Sequence, residues 1–277
     1  MKNLSNKYSN YFNEIMKNLR KPVVSVLSGH LSFFLLLSAI PIILIIVIIA
    51  STFSLSYDRL VEFVTLSLPA STSKLILPLF STKVPDISLV LLIISALYLA
   101  SRGTKAIILT ANNIYNVTGN WIRDIIKSFV ITLLLVLLIL FIIVILILGG
   151  KILNLLEGID GAYKISNNII VILNLLRWPF SMLVVFFTIK LVYLLTPNKK
   201  ISRKSVNKGS IFTTFSWIII TYLYSFYVMN YASYNTYYGS ASNILILMLW
   251  IYLISFIFVV GMIINSIEDK KERISDN

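Results

Sequence analysis

Cations inside apolar stretches are the first residues of this sequence that could do chemistry. The run "NNIIVILNLLRWPFSMLVVFFTIKLVYLLTP" (167–197) is apolar over most of its length and yet carries Arg177. A guanidinium within a hydrocarbon layer is costly unless it finds a partner, so an intramembrane Arg indicates a functional site by default. Asn174 lies one helical turn earlier, and Pro179 frees a backbone carbonyl nearby. We expect Arg177 and Asn174 to bind an anionic ligand.

A second interpretation places Arg177 at the membrane surface. If the span begins near residue 179, the guanidinium lies in the outer interface and needs no ligand. The stretch "NNIIVILNLL" would then be an apolar segment outside the membrane. No Asp or Glu lies inside any of the long apolar blocks, so neither interpretation supplies an intramembrane carboxylate as a partner.

The stretch "SRGTKAIILTANNIYN" carries polar groups into an apolar helix at steps of three, four and seven residues. Tyr115 belongs to the same pattern, and Gly103 would allow a neighbouring helix to approach closely. We expect Arg102, Lys105, Asn112 and Tyr115 to contact a ligand; the alternative is a solvated helix end beside an anionic leaflet. The residues predicted to share one face are Arg102, Lys105, Leu109, Asn112 and Asn116.

Several classes of chemistry are absent from the sequence. There is no Cys, which removes disulfides, thiolate metal sites and cysteine nucleophiles, and His30 is the one histidine. There is no Walker A motif, so ATP does not drive the protein through a P-loop. We therefore predict no catalytic residue, no metal site, no cofactor and no enzymatic activity.

Long apolar blocks must position these residues. Hydrophobic residues make up 58% of the 277 residues and charged residues 13%, against about 25% charged residues in soluble domains. A span needs about 20 apolar residues. We predict an all-α membrane protein with a bundle of six transmembrane helices, at about 31–53, 87–111, 128–149, 168–196, 211–230 and 243–266.

Lysine and arginine predict the orientation. If the N-terminus is cytosolic, 18 of the 24 Lys and Arg residues fall in cytosolic segments. The net charge of +13 then reports topology and attraction to an anionic leaflet, not nucleic-acid binding. We expect a basic cytosolic segment at 1–30, a transmembrane domain at 31–267 and a cytosolic tail at 268–277.

Three further features each have two interpretations. Pro41 would either kink the first span or break it beside a cavity. The segment 56–86 reads as two outer-face helices that cap the bundle or gate it. A tyrosine stripe that begins at Tyr224 is either an interfacial belt or a ligand-facing wall. The residues predicted to have structural roles are Pro41, Gly103, Pro179, Gly239, Trp250, Tyr252 and Gly261.

The same motifs carry a family resemblance. From about 15 to 268 the chain resembles the YihY/virulence factor BrkB family of bacterial inner-membrane proteins. The matching motifs are "LSAIPII", "SRGTKAIILTANNIYNV", "RWPF…LVYLLTPN" and "YVMNYASYNTYYGSASNILILMLWIYLISFIFVVGMIIN". Two positions depart from the family pattern: Asn113 stands where a basic residue is usual, and Asn116 where Gly is usual.

The resemblance implies a six-helix protein of the bacterial cytoplasmic membrane with both ends cytosolic. Some members were long described as a tRNA-processing ribonuclease, ribonuclease BN. We disfavour that activity here, because metal-dependent cleavage needs clustered carboxylates or histidines. Other members are linked to serum resistance and, in altered form, to export of a lipid A precursor.

We therefore hypothesise a permease or flippase-like transporter of an anionic lipid or lipid-linked anion, with membrane lipids as partners. The alternative is a scaffold for envelope assembly. The substrate, the energy coupling and the oligomeric state stay open.

Overall fold

The computed structural model describes residues 13–52, 89–138, 179–180, 182–230 and 242–275. Within these residues the chain forms seven helices and no strand, which confirms the all-α prediction. The helices are α1 (Asn13–Leu19), α2 (Pro22–Thr52), α3 (Leu89–Tyr115), α4 (121–138), α5 (Met182–Leu195), α6 (Asn207–Asn230) and α7 (Ser242–Ser275).

Local signals account for several helix ends. Pro22 opens α2, as its fixed φ and missing N–H favour at a first helical position. The Asn120 side chain accepts hydrogen bonds from the backbone N of Ile122 (3.1 Å) and of Arg123 (3.3 Å), and so caps α4. Asn116 has a φ of 51° just after α3. Asn is the residue that best replaces Gly in this left-handed conformation, which explains its departure from the family pattern.

α7 occupies the centre of the described bundle. It packs against α6, α2 and α3, and α2 also packs against α3. α3 and α4 form an antiparallel pair, in which the buried hydroxyls of Thr104 and Thr132 are hydrogen-bonded at 2.7 Å. Side chains of α2, α3, α5 and α7 and of the connection after α5 meet in one core. Its largest fully buried side chains are Leu31, Tyr193, Val206, Val259, Met262 and Ile267.

The described helices overlap the predicted spans but differ at their ends. Among the described residues, Asn207–Asn230 and Ile244–Ile274 are long and apolar enough to cross a membrane. A third candidate joins α1 to Pro22–Ser38 across a bend of 64°. α2 begins before the expected start at 31, and α7 continues through most of the expected tail. The outer-face segment 56–86 lies outside the described residues.

Candidate functional site

A non-helical segment between α5 and α6, residues 196–202, collects the polar contacts of the bundle; we call it the strap. Asn198 lies at its centre and makes three hydrogen bonds to α3 and α4. Its backbone N donates to Asn112 Oδ1 (2.9 Å), and its Nδ2 donates to Asp124 Oδ1 (2.5 Å). Its Oδ1 accepts from Lys127 Nζ (2.9 Å). One residue therefore joins the end of α5 to both α3 and α4.

Lys127 holds the same corner from α4. Besides Asn198, its ammonium donates to the carbonyl oxygens of Thr196 (2.8 Å) and Pro197 (2.9 Å). Carbonyls at a helix C-terminus lack partners within the helix and attract a positive charge. Burial lowers the pKa of Lys127, Asp124 one turn earlier opposes that change, and Arg123 adds to it. The three donors of this ammonium are thus committed to the strap.

The other side of the strap is fastened to α7. Lys199 Nζ lies 2.7 Å from Asp269 Oδ2, and Arg273 Nε lies 3.0 Å from the same oxygen. Arg273 Nη2 also donates to the Lys200 carbonyl (2.7 Å). Ser202 Oγ donates to Glu272 Oε1 (2.9 Å). Asp269 is 2% exposed, so its charge depends on these two cations for compensation.

Tyr115 lies between the two sets of contacts. Its ring faces the Lys199 ammonium at 5.8 Å, and its buried hydroxyl has no hydrogen-bond partner among the described residues. Burial raises the pKa of Tyr115, and the nearby Asp269 charge raises it further. Asn112 lies one turn earlier on the same buried face, and its Nδ2 also lacks a partner in the described part of the chain. Water bound at these two atoms would satisfy them.

A second polar feature runs between α6 and α7, and we call it the α6–α7 seam. Tyr224 OH donates to the Ile246 carbonyl (2.6 Å), and Trp217 Nε1 donates to the Ile254 carbonyl (2.8 Å). Between them, Trp250 Nε1 donates to Thr221 Oγ1 (3.3 Å). Side chains of α6 and α7 thus form hydrogen bonds across the seam at successive helical turns.

The seam ends at a close crossing near the strap. Asn265 Oδ1 accepts from the backbone N of Gly209 (2.8 Å), and Tyr193 OH donates to the Phe258 carbonyl (2.8 Å). A Cβ at Gly261 would collide with Thr213 Oγ1 and Tyr193 OH. α3 meets α2 in a similar way, because a Cβ at Gly103 would lie 2.5 Å from Ser38 Oγ. These glycines let helix backbones approach.

Arg102 and Lys105 lie apart from the strap. The exposed Arg102 guanidinium hydrogen-bonds to Tyr98 OH and lies 4.9 Å from the centre of the Tyr98 ring. The Lys105 ammonium lies 5.7 Å from the Trp121 ring. Asn112 does not share the exposed face of Arg102, because ten residues turn the helix about 80° short of three full turns. Asn113 and Asn116 continue that exposed face instead.

The structure describes three further predicted residues, Pro41, Pro179 and Tyr252. α2 stays helical through Pro41 and is not broken there, and Ser38 Oγ donates to the Leu35 carbonyl (2.9 Å). Pro179 is exposed in a helical backbone. Tyr252 is half-buried on α7, next to the buried Ile251. The predicted residues outside the described ranges are Asn174, Arg177 and Gly239.

Sequence reasoning missed the strap and its partners. Asn198 stands in the motif "LVYLLTPN", and a polar residue right after a span that ends in Thr-Pro was an available signal. Asp124 and Asp269 were harder to single out, because all 11 Asp and Glu residues lie outside the apolar blocks and nothing in their positions distinguishes these two. Among the described residues, no group of three or more His, Cys, Asp or Glu could hold a metal ion.

Comparison with known proteins places this architecture in a family. The family model for virulence factor BrkB matches residues 15–277. The chain is 32% identical to the putative ribonuclease-like protein YfkH of Bacillus subtilis, over 90% of this chain and 91% of that protein. It is 27% identical to a UPF0761 membrane protein of Vibrio atlanticus, over 92% of this chain and 80% of that protein.

A UPF0761 membrane protein of Vibrio campbellii is 26% identical, over 96% of this chain and 84% of that protein. No solved structure matches the chain. The family match covers nearly the whole chain, the UPF0761 relatives are named membrane proteins, and at least two described helices are able to cross a bilayer. The chain is therefore an integral membrane protein that belongs to the virulence factor BrkB family.

Proposed function

We propose that this protein moves an anionic lipid or lipid-linked anion across the bacterial cytoplasmic membrane. In this proposal the chain crosses the membrane six times, both termini are cytosolic, and the strap lies at the cytosolic side. The charge distribution supports that orientation, since the strap and the last turns of α7 are rich in Lys and Arg. The end of the bundle that contains the strap would form its rigid cytosolic side.

The observation that carries the proposal is the position of Arg102. It lies thirteen residues before the end of α3, or about 20 Å along the helix axis at 1.5 Å per residue. Its side chain turns towards Tyr98, away from the strap end, as helical side chains lean towards the helix N-terminus. In the proposed orientation, the guanidinium points away from the strap and towards the membrane interior.

The surroundings of Arg102 suit an amphiphile. Ile94, Leu99 and Leu109 are exposed on the same helix at 52%, 53% and 37%. Within the described residues Arg102 contacts no carboxylate, and Tyr98 is its hydrogen-bond partner. A guanidinium beside apolar surface can hold a phosphate while acyl chains remain in the bilayer. Lys105 would guide the headgroup towards the cytosolic interface, and Arg177 with Asn174 would bind it deeper.

Reconstitution tests this function. Purified protein in liposomes that contain a fluorescent phosphatidylglycerol should speed headgroup movement across the bilayer well above empty liposomes. Arg102→Gln should slow that movement about tenfold, because one charge-assisted contact is lost. Arg203→Gln is the matched control, since Arg203 is exposed near the strap. Movement no faster than in empty liposomes would refute the transport proposal. Equal rates for the two variants would remove Arg102 from the proposed pathway.

Arg177 is tested by native mass spectrometry of gently purified protein. The wild type should retain an anionic lipid that Arg177→Gln loses. Equal lipid retention would remove Arg177 from the proposed pathway.

The orientation is tested separately by introduced cysteines, because the chain contains no Cys of its own. Single cysteines placed in the strap and in segment 56–86 should react with an impermeant thiol reagent from opposite sides of the membrane.

A second candidate function is a scaffold for envelope assembly, and the strap favours it. Asn112, Asp124 and Lys127 are used in packing, which is what a rigid structural bundle requires.

The nuclease alternative is disfavoured for a related reason. Asp269 and Glu268 are paired with lysines, and Glu272 is hydrogen-bonded to Ser202. RNA cleavage that co-purifies with the protein and disappears in Asp124→Asn would overturn this exclusion.

A further inference from the structure

A groove on the first turns of α4 borders the strap contacts at Lys127 and does not include Arg102. Its volume is about 640 Å³, and its lining residues are Asn120, Ile122, Arg123, Ile126 and Lys127. Sites of this size accept small molecules or part of a larger amphiphile. The proposed transport function does not use these residues, so the groove needs its own explanation.

The groove carries positive charge, and the hydrogen-bond donors of one of its cations, Arg123, are unused. Arg123 is exposed, and within the described residues its guanidinium makes no hydrogen bond and no ion pair. The adjacent Asp124 points inward to Asn198, is 2% exposed and forms no ion pair with Arg123. Lys127 adds a fixed charge, but its donors are occupied by the strap.

The helix end itself does not supply the binding groups. The first free N–H groups of α4 are already bound by the Asn120 side chain. A ligand phosphate would therefore be held by the Arg123 guanidinium, whose planar donors match phosphate oxygens in pairs. This requirement makes Arg123 the residue on which binding depends.

Apolar surface adjoins the cation. Trp121, Ile122 and Ile126 are exposed at 71%, 61% and 60%. The Lys105 ammonium lies against the Trp121 ring, which brings a further positive charge to the same edge. Trp beside Lys and Arg is typical of the membrane–water interface, where a headgroup and the first part of an acyl chain meet the protein.

We propose that this groove is a binding site for the phosphate headgroup of an anionic phospholipid from the adjacent leaflet. Arg123 binds the phosphate, Lys105 and Lys127 provide the surrounding charge, and Ile122 and Ile126 contact the acyl chain. The site does not depend on transport, because a lipid held here would remain bound in a protein that moves nothing.

Lipid titration in nanodiscs tests the site. Wild-type protein in phosphatidylcholine nanodiscs receives increasing phosphatidylglycerol, and Trp121 fluorescence is compared with that of a Trp121→Phe variant to isolate its signal. Arg123→Gln should weaken the apparent affinity about fivefold, the effect of one basic residue near an anionic surface. Arg123→Lys should retain part of the affinity, and Arg203→Gln should leave it unchanged.

Three outcomes would overturn the proposal. Equal affinities in the wild type and Arg123→Gln would remove Arg123 from the site. An equal loss in Arg203→Gln would show a general charge effect. Competition by free inorganic phosphate at concentrations matched to the lipid would show a simple anion site without an acyl contact. Because headgroup movement is measured separately, failure here and failure of transport can be told apart.

Discussion

The strap and the α6–α7 seam hold the same bundle together in different ways. At the strap, charged and amide groups from three helices meet on a short non-helical segment, and Asp269 and Asn198 each serve several partners. Along the seam, single side chains bind helix carbonyls whose own helical hydrogen bonds persist, as Trp217 does at Ile254. The strap contacts form a network, whereas the seam contacts are independent of one another.

The difference follows from the surroundings of each region. Half of the residues of α6 are exposed, among them large apolar side chains such as Phe215, Ile219 and Phe226 at 53%, 57% and 51%. In lipid, such a helix gains little from apolar contact with its neighbours, so hydrogen bonds and close packing associate it with α7. The strap has lost helical hydrogen bonds, and side chains must replace them.

Removing the shared carboxylate should have the largest effect. Asp269→Asn leaves Lys199 and Arg273 without their common partner, and we expect the free energy of unfolding to fall by about 3 kcal/mol. Glu268→Gln is the matched control, because its partner Lys208 is 63% exposed, and it should cost less than about 1 kcal/mol. Denaturant titration in mixed micelles measures both. Equal losses would mean that the strap is not a network.

The crossing between the two regions should come next. Gly261→Ala places a methyl group against Thr213 and Tyr193, and we expect a loss of about 2 kcal/mol from overpacking. Gly29 on α2 has no atom within 4 Å of an added Cβ. Gly29→Ala should therefore be neutral or stabilise the helix by about 0.5 kcal/mol. A neutral Gly261→Ala in the same unfolding assay would show that α6 and α7 can separate freely.

The pH dependence of the strap end should give a smaller effect. Burial raises the pKa of Tyr115 in the folded state, whereas the unfolded side chain ionises near pH 10. The stabilisation is complete below about pH 10 and is lost as pH rises further, because the unfolded state then releases the proton first. Wild type should therefore lose about 1 kcal/mol more than Tyr115→Phe between about pH 9 and pH 10.7. Parallel stability curves would contradict this account.

A single seam contact should have the smallest effect. Trp217→Phe removes the hydrogen bond to the Ile254 carbonyl but keeps a ring near Phe258, whose centroid lies 6.0 Å from that of Trp217. Interhelical hydrogen bonds in membranes average about 0.6 kcal/mol, and we expect a loss of that size. A loss as large as that of Asp269→Asn would show that the seam is cooperative too, and would remove the contrast between the two regions.

The sequence predicted the helical class and several packing positions, but it did not predict the strap. Apolar blocks about 20 residues long identify helices through composition alone, which is why α6 lies close to its predicted range and α7 begins where predicted. The face of α3 was predicted only in part. Arg102 is exposed, but Asn112 is buried, because a step of ten residues is not a whole number of turns.

The strap was hidden for a different reason. Its contacts join Asn198 to Asn112 and Lys199 to Asp269, across 86 and 70 residues of chain. Local periodicity does not predict such pairs. The sequence pattern of a helix indicates which of its own faces is buried, but not which distant residue packs against that face. The family resemblance pointed to "LVYLLTPN" as a motif without showing which of its atoms are used.

The strap also implies an order of assembly during synthesis. Asn112, Asp124 and Lys127 precede Asn198 in the chain and are already made when it leaves the ribosome. The α7 partners, Asp269, Glu272 and Arg273, are translated about 70 residues after the strap residues that they bind. The nascent bundle can therefore fix α5 against α3 and α4 first, and the C-terminal turns of α7 then complete the fastening. A chain that stops before Asp269 would be inserted but left open on one side.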